Sequence, residues 1–255
     1  MTSCSRGTLN NLASVGDIGE LKSILSNDPN VSLAIIEDLL VTATKSSQVE
    51  VINLLLSQYP STPLSEQIVR GAVNTGSIPI MKALLARDPS IINMPFDHYG
   101  SPLIVACMGR QKIEYLEYLL GVGADPNQDP DAASFPLTIV AALYEEPEVI
   151  DLLLNHGARV VHSGALGAAA RLGNEVMMRR LLERGAKPDT DAATSESPLH
   201  TAVRAGHVGI ATILLQDGAD PMSMDGNGCT PIDIAEKKRL EGNDMSEMLQ
   251  VLRRK

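Results

Sequence analysis

Apolar doublets punctuate the chain at a nearly constant interval. Ile24-Leu25, Leu55-Leu56, Leu84-Leu85, Leu119-Leu120, Leu153-Leu154, Leu181-Leu182 and Leu214-Leu215 recur with steps of 31, 29, 35, 34, 28 and 33 residues. In the segment from Val208 to Leu215 the apolar positions fall mostly on one side at helical spacing, which predicts an amphipathic helix closing on its doublet. Pro198 fits the first turn of a preceding helix, where its missing N–H costs nothing. Gly206 permits a tight reversal between the two helices, and Gly218 suits a helix stop because glycine tolerates positive φ. Neither short helix can bury its apolar stripe alone. Stacked copies bury the stripes against one another, so the smallest stable object is several repeats.

A fixed offset supports the same reading. Ser197-Pro198-Leu199-His200-Thr201-Ala202 and Thr230-Pro231-Ile232-Asp233-Ile234-Ala235 stand 33 residues apart. That offset also links Gly185-Ala186-Lys187-Pro188 to Gly218-Ala219-Asp220-Pro221, Gly173 to Gly206, and Leu166 to Leu199. The stretch Ser197–Asp220, with its S-P-L-H-T-A opening, Gly206-His207, Leu214-Leu215 and Gly218-Ala219-Asp220, resembles the ankyrin repeat. Weaker copies begin at Ser101-Pro102-Leu103, Phe135-Pro136-Leu137 and Gly164-Ala165-Leu166, while the first third keeps only the doublets, each followed by Pro29, Pro60 or Pro89. The resemblance implies an all-α solenoid of about eight helix–turn–helix units with short or truncated β-hairpin loops. It forms a single domain over 1–255, with approximate repeats 7–30, 37–60, 66–89, 100–126, 134–159, 163–188, 196–221 and 229–253.

Departures from the pattern are informative. Repeats four and five carry one extra residue between proline and doublet, which predicts distorted inter-helix turns at 109–112 and 144–147. The connection from Ala158 to Gly164 is too short for a projecting hairpin, whereas 90–100 and 127–134 are long enough for real fingers.

Composition narrows the function classes. The 255 residues hold 44% hydrophobic residues but only five Tyr, two Phe and no Trp, so small aliphatics build the core. Net charge is −10, which disfavours anonymous attraction to nucleic acid or anionic lipid. Cys4, Cys107 and Cys229 are an odd number and far apart, no apolar leader opens the chain, and no run approaches the ~18 residues of a membrane span. These features lead to the expectation of a reduced, cytoplasmic protein, with the nucleus as the other compartment, binding neither nucleic acid nor membrane.

Chemistry-bearing motifs are absent from the sequence: it has no G-x-S-x-G, no phosphate loop ending in G-K-[ST] and no H-E-x-x-H. Neither a metal site nor a cofactor is expected, since His98, His156, His162, His200 and His207 share no ligand spacing. The resemblance gives His200 and His207 a structural role, hydrogen bonding backbone between repeats. Met177-Met178 read as core filler, and Asp17, Asp131 and Asp225 as turn residues.

Two candidate sites remain. Arg171, Arg204 and Lys237 stand at the same point of three successive repeats, and by the resemblance that point lines a concave groove. Such a cationic ladder would receive an acidic segment of another protein. The second patch joins Asp97-His98-Tyr99 on an expected finger with Met108, Arg110, Tyr144 and Glu145, tyrosine being a favoured interface anchor. The leading expectation is a protein–protein interaction scaffold that uses groove and loop tips. The alternative is a small-molecule binder, or a cyclase- or isomerase-type enzyme, using a pocket in the middle repeats. Its suspects are His98, Tyr99, Tyr144, Glu145, Arg110 and Arg171.

Overall fold

The computed structural model describes residues 6–28, 31–97, 100–127, 135–161, 163–189 and 196–254. These residues form eight helix pairs: α1 (Arg6–Val15) with α2 (Ile18–Asn27), α3 (Leu33–Lys45) with α4 (Val49–Gln58), α5 (Glu66–Thr75) with α6 (Ile78–Arg87), and α7 (Pro102–Met108) with α8 (Ile113–Gly121). Then follow α9 (Pro136–Leu143) with α10 (Glu148–Asn155), α11 (Ala165–Leu172) with α12 (Glu175–Glu183), α13 (Pro198–Ala205) with α14 (Val208–Gln216), and α15 (Pro231–Leu240) with α16 (Ser246–Arg253). The chain gathers into two compact units, Met1–Asp125 and Pro126–Lys255, each holding four pairs.

Both units are built in two layers. In the first unit α1, α3, α5 and α7 pack in succession, and α2, α4 and α6 form the second layer. In the second unit α9, α11, α13 and α15 form one layer, and α10, α12, α14 and α16 the other. The doublets supply the seam: Leu25, Leu55, Leu84, Leu119, Leu153, Leu181 and Leu214 are all buried. Met177 and Met178 are fully buried too, as core-filling residues should be.

Helix starts and stops follow local chemistry. Pro102, Pro136, Pro198 and Pro231 each occupy the first position of a helix, and Ser101, Ser197 and Thr230 cap the N-termini of α7, α13 and α15 through their side chains. Gly173 and Gly206 take φ of +74° and +82° between paired helices, a conformation that glycine adopts without a Cβ clash. Two repeats put another residue in the left-handed position of the reversal, Ser47 at φ +57° and Arg110 at φ +50°. The turns at 109–112 and 144–147 are longer than the two-residue turns at 173–174 and 206–207, as the extra residue required.

Beside four of the reversals sits a recurring cross-repeat bond. Gln48 Nε2 donates to the Ser14 carbonyl at 3.0 Å, Gln111 Nε2 to Asn74 at 3.0 Å and Asn174 Nδ2 to Tyr144 at 2.8 Å, while His207 Nε2 lies 3.3 Å from the Arg171 carbonyl. Each partner caps a helix-end carbonyl of the repeat before it, satisfying an acceptor that the helix itself leaves open. A histidine was anticipated at this point, but amide side chains do the same work elsewhere.

The expected finger at 90–100 is only partly one. Pro89–Asn93 forms a 3-10 helix, started by Asp88 accepting from Ser90 N at 2.9 Å, and it buries Ile91 and Ile92. Those two apolar side chains pull the segment onto the stack, and what remains is one antiparallel bridge between Phe96 and Gly100. Asn127 begins the other expected finger, donating to Gly157 O at 2.8 Å and accepting from Arg159 N at 2.9 Å; the rest of it, with Asp131, lies outside the described residues.

Candidate functional site

The cationic ladder is assembled by three neighbouring helices of one layer. Arg171, Arg204 and Lys237 are exposed in α11, α13 and α15, where α11 packs on α13 and α13 on α15. The rungs are not equivalent. Arg204 Nε donates to Glu196 Oε1 at 2.7 Å, and its Nη2 meets Asp225, whose side chain is nearly buried. Partial burial works against the Arg204 charge, yet the two carboxylates hold its pKa above the ordinary arginine value. Among the described residues Arg171 and Lys237 have no ion-pair partner, so the ladder consists of two outer cations around a middle rung whose single guanidinium faces two carboxylates and is left net negative.

Asp225 is more than a turn residue. Its Oδ1 accepts from the backbone N–H of Cys229 at 3.0 Å and of Asn227 at 2.9 Å, and its Oδ2 faces Arg204. Those N–H groups, foremost that of Cys229, and then the Arg204 charge hold the carboxyl below the usual aspartate range. Glu196 and Asp225 are site residues that the repeat pattern did not disclose. A legible signal was the D-x-x-G stretch Asp225–Gly228 ahead of a helix cap, which brings a carboxylate back toward the preceding repeat.

His200 is wholly buried, with Nδ1 2.7 Å from Ser197 Oγ and Nε2 3.0 Å from the Cys229 carbonyl, so it joins two repeats as anticipated. Lys238 adds a link of its own by donating Nζ to the Arg204 carbonyl at 2.6 Å. Cys107 is buried and its thiol is pushed up to about 12 by desolvation, which makes it unreactive; Cys229 is a free, partly exposed thiol.

The second patch does not survive as drawn. Tyr144 is only 4% exposed, because α9 ends on it in an extended conformation and the ring turns inward, so it cannot anchor a partner or exchange protons with a ligand. Met108 (52% exposed) and Arg110 are on the surface of the first unit, and Glu145 on that of the second. His98 and Tyr99 lie outside the described residues.

Surface depressions occur away from that patch. One of about 530 Å³ lies between α15 and α16, with Glu236 bridging Arg239 and Arg253 on its wall. Another, of about 590 Å³, is polar and lies between the end of α3 and α5 in the first unit. No group of His, Cys, Asp and Glu among the described residues is arranged to hold a metal, and no described helix is long and apolar enough to cross a membrane.

A family model for ankyrin repeats matches residues 137–225 and 166–250. The chain carries ankyrin repeats. Among curated relatives it is 37% identical over 123 residues to SH3 and multiple ankyrin repeat domains protein 2 of Homo sapiens, covering 46% of this chain and 7% of that protein. It is 40% identical over 73 residues to ankyrin repeat and SOCS box protein 16 of Mus musculus (29% and 16% covered), and 29% identical over 152 residues to palmitoyltransferase Hip14 of Drosophila melanogaster (60% and 19% covered). The chain thus spans less than a fifth of the length of each. Two of these names carry ankyrin repeats and the third a palmitoyltransferase, so the likeness is not to one activity. Ankyrin repeats are generally protein-binding modules.

Proposed function

We propose that this chain is an interaction scaffold whose second unit binds an acidic segment of another protein along the α11–α13–α15 face. The observation that supports it most is the exposure of Arg171 and Lys237, unpaired among the described residues, on either side of the Glu196–Arg204–Asp225 cluster. In this reading the two outer cations attract carboxylates, while the middle cluster, with one carboxylate more than its guanidinium balances, keeps the segment's acidic side chains to the two outer positions. Loop tips supply further contact, with Met222 and Met224 exposed between α14 and α15. Met108 and Arg110 offer a smaller accessory surface on the first unit. On a protein of net charge −10, a local pair of cations selects where an acidic segment lands and does not attract every anion.

The test uses fluorescein-labelled octaglutamate and fluorescence anisotropy at low salt. Arg171→Glu combined with Lys237→Glu should weaken binding by about tenfold or more, with added salt eroding the wild-type affinity. Affinity unchanged in that variant would remove the ladder from the binding face.

A further inference from the structure

The polar depression of the first unit is built from the last turn of α3 and the solvent-facing stripe of α5. Gln67, Arg70 and Asn74 follow one another at helical spacing along α5, and Lys45 and Ser47 close the opposite wall. Gly71 forms the contact between the two helices: a Cβ there would meet Thr44 Cγ2 at 3.3 Å and Lys45 Cγ at 4.0 Å. Its bare backbone lets α3 approach and lays the lysine stem against α5. Glu66 meets Arg70 Nη1 at 3.3 Å, one turn earlier on the same helix, and orients the guanidinium. Ser47 is in the left-handed region at φ +57°, where the corresponding residue of other repeats is a glycine such as Gly76, Gly173 or Gly206. The serine accepts a backbone penalty and places a hydroxyl on the rim of the depression. Lys45 precedes this left-handed residue by two, as Arg171 and Arg204 precede theirs.

We infer that this depression receives a phosphomonoester carried on a polypeptide side chain. The inference rests on the protein-binding reading but concerns the other unit and a different ligand chemistry. The wall offers an ammonium, a guanidinium, two side-chain amides and a hydroxyl. That is more donors than the two oxygens of a carboxylate can accept, and it suits the three terminal oxygens of a phosphate monoester. Thr75 is not counted, because its hydroxyl donates to Ala72 O at 2.7 Å. At about 590 Å³ the space also exceeds what a single carboxylate fills.

The experiment follows backbone amides of the full ¹⁵N-labelled chain by NMR during titration with acetyl-Gly-phosphoSer-Gly-amide. Parallel titrations use the same peptide with glutamate in place of phosphoserine, and inorganic phosphate alone. The phosphopeptide should give saturable shifts confined to residues 45–48 and 67–75, with affinity reduced about tenfold in Lys45→Gln combined with Arg70→Gln. Lys45 is exposed and Arg70 half-buried, and circular dichroism checks that the helices persist. Arg171→Glu with Lys237→Glu should leave these shifts untouched, so failure of the ladder and failure of this site are read separately. Absence of saturable shifts, or equal affinity in the double variant, overturns the site. Equal binding of the glutamyl peptide overturns the phosphate preference, and equal binding of inorganic phosphate overturns the polypeptide source.

Discussion

The two units reach the same helix pairing by different means. In the first, apolar burial dominates and several buried polar atoms, Asn10 Oδ1, Thr44 Oγ1, Thr62 Oγ1, Ser65 Oγ and Tyr115 Oη, find no hydrogen-bond partner. In the second, no described side chain is left in that position, and the carboxylates of Asp151, Glu196, Asp225 and Glu236 are each tied to arginines. The family model matches residues 137–225 and 166–250, both within the second. The second unit thus adds buried or half-buried carboxylate–arginine pairs to the apolar doublets that recur in both units, and the first holds its helix pairs with fewer of them. Fewer such pairs leave the stack standing, because packing of apolar stripes is the dominant stabilising term.

The largest expected effect tests that shared term. Leu214, fully buried, should cost about 2–5 kcal/mol when changed to alanine, and Leu55 in the first unit should cost as much, since both open a cavity at the seam. Urea unfolding followed by circular dichroism measures both. A much smaller loss at Leu55 would mean that the signature-poor repeats are not held by the seam.

Next comes the polar half of the comparison. Removing the imidazole in His200→Ala orphans the Cys229 carbonyl and the Ser197 hydroxyl and leaves a void, a loss of about 1–3 kcal/mol for the unsatisfied groups alone. Gln48→Ala, at a part-buried bridge in the first unit, should lose only about 0.5–1.5 kcal/mol. Equal losses would erase the distinction drawn between the units. Tyr115→Phe runs the other way: its hydroxyl is buried without a partner, and desolvation pushes its pKa well above the tyrosine range. Deleting that oxygen should leave stability unchanged or raise it by about 1 kcal/mol. A clear loss would reveal a partner that the structure does not show.

The doublets, the first-turn prolines and the Gly-ended helices made the eight pairs legible from sequence, because each acts within a few residues. What stayed hidden depends on contacts between repeats. Ser47 reverses the chain where no glycine announces it, and at 109–112 the left-handed residue is Arg110 and not the glycine beside it. Tyr144 read as a surface anchor, yet one residue of extended backbone after α9 was enough to bury its ring. The aligned spacing of Arg171, Arg204 and Lys237 correctly put them on three adjacent helices. It gave no notice that Glu196, from the start of the same repeat, and Asp225, from the next loop, converge on the middle one.

The smallest expected effect concerns acid, and it has the same sign in both units but differs in size. Asp151 accepts from Arg180 and Arg184, and these hydrogen bonds, that of Arg180 first, hold its carboxyl below the usual range; the N–H groups of Cys229 and Asn227 do the same for Asp225. A carboxyl whose folded pKa is lowered binds protons more readily when unfolded. Its contribution is fully present above the ordinary aspartate value and disappears as pH falls through the folded one. Most of the depressed carboxyls, Asp151, Asp225, Asp233 and Asp244, belong to the second unit, against Asp88 in the first. Lowering the pH from about 5 to about 2 should therefore weaken amide protection in the second unit before the first. In Asp151→Asn the Arg180 and Arg184 pairs are already broken, so part of that acid sensitivity should vanish while stability near neutral pH falls slightly. An unchanged acid slope in the variant, or earlier loss in the first unit, would show that the paired carboxylates are surface ornament and that both units rest on the seam alone.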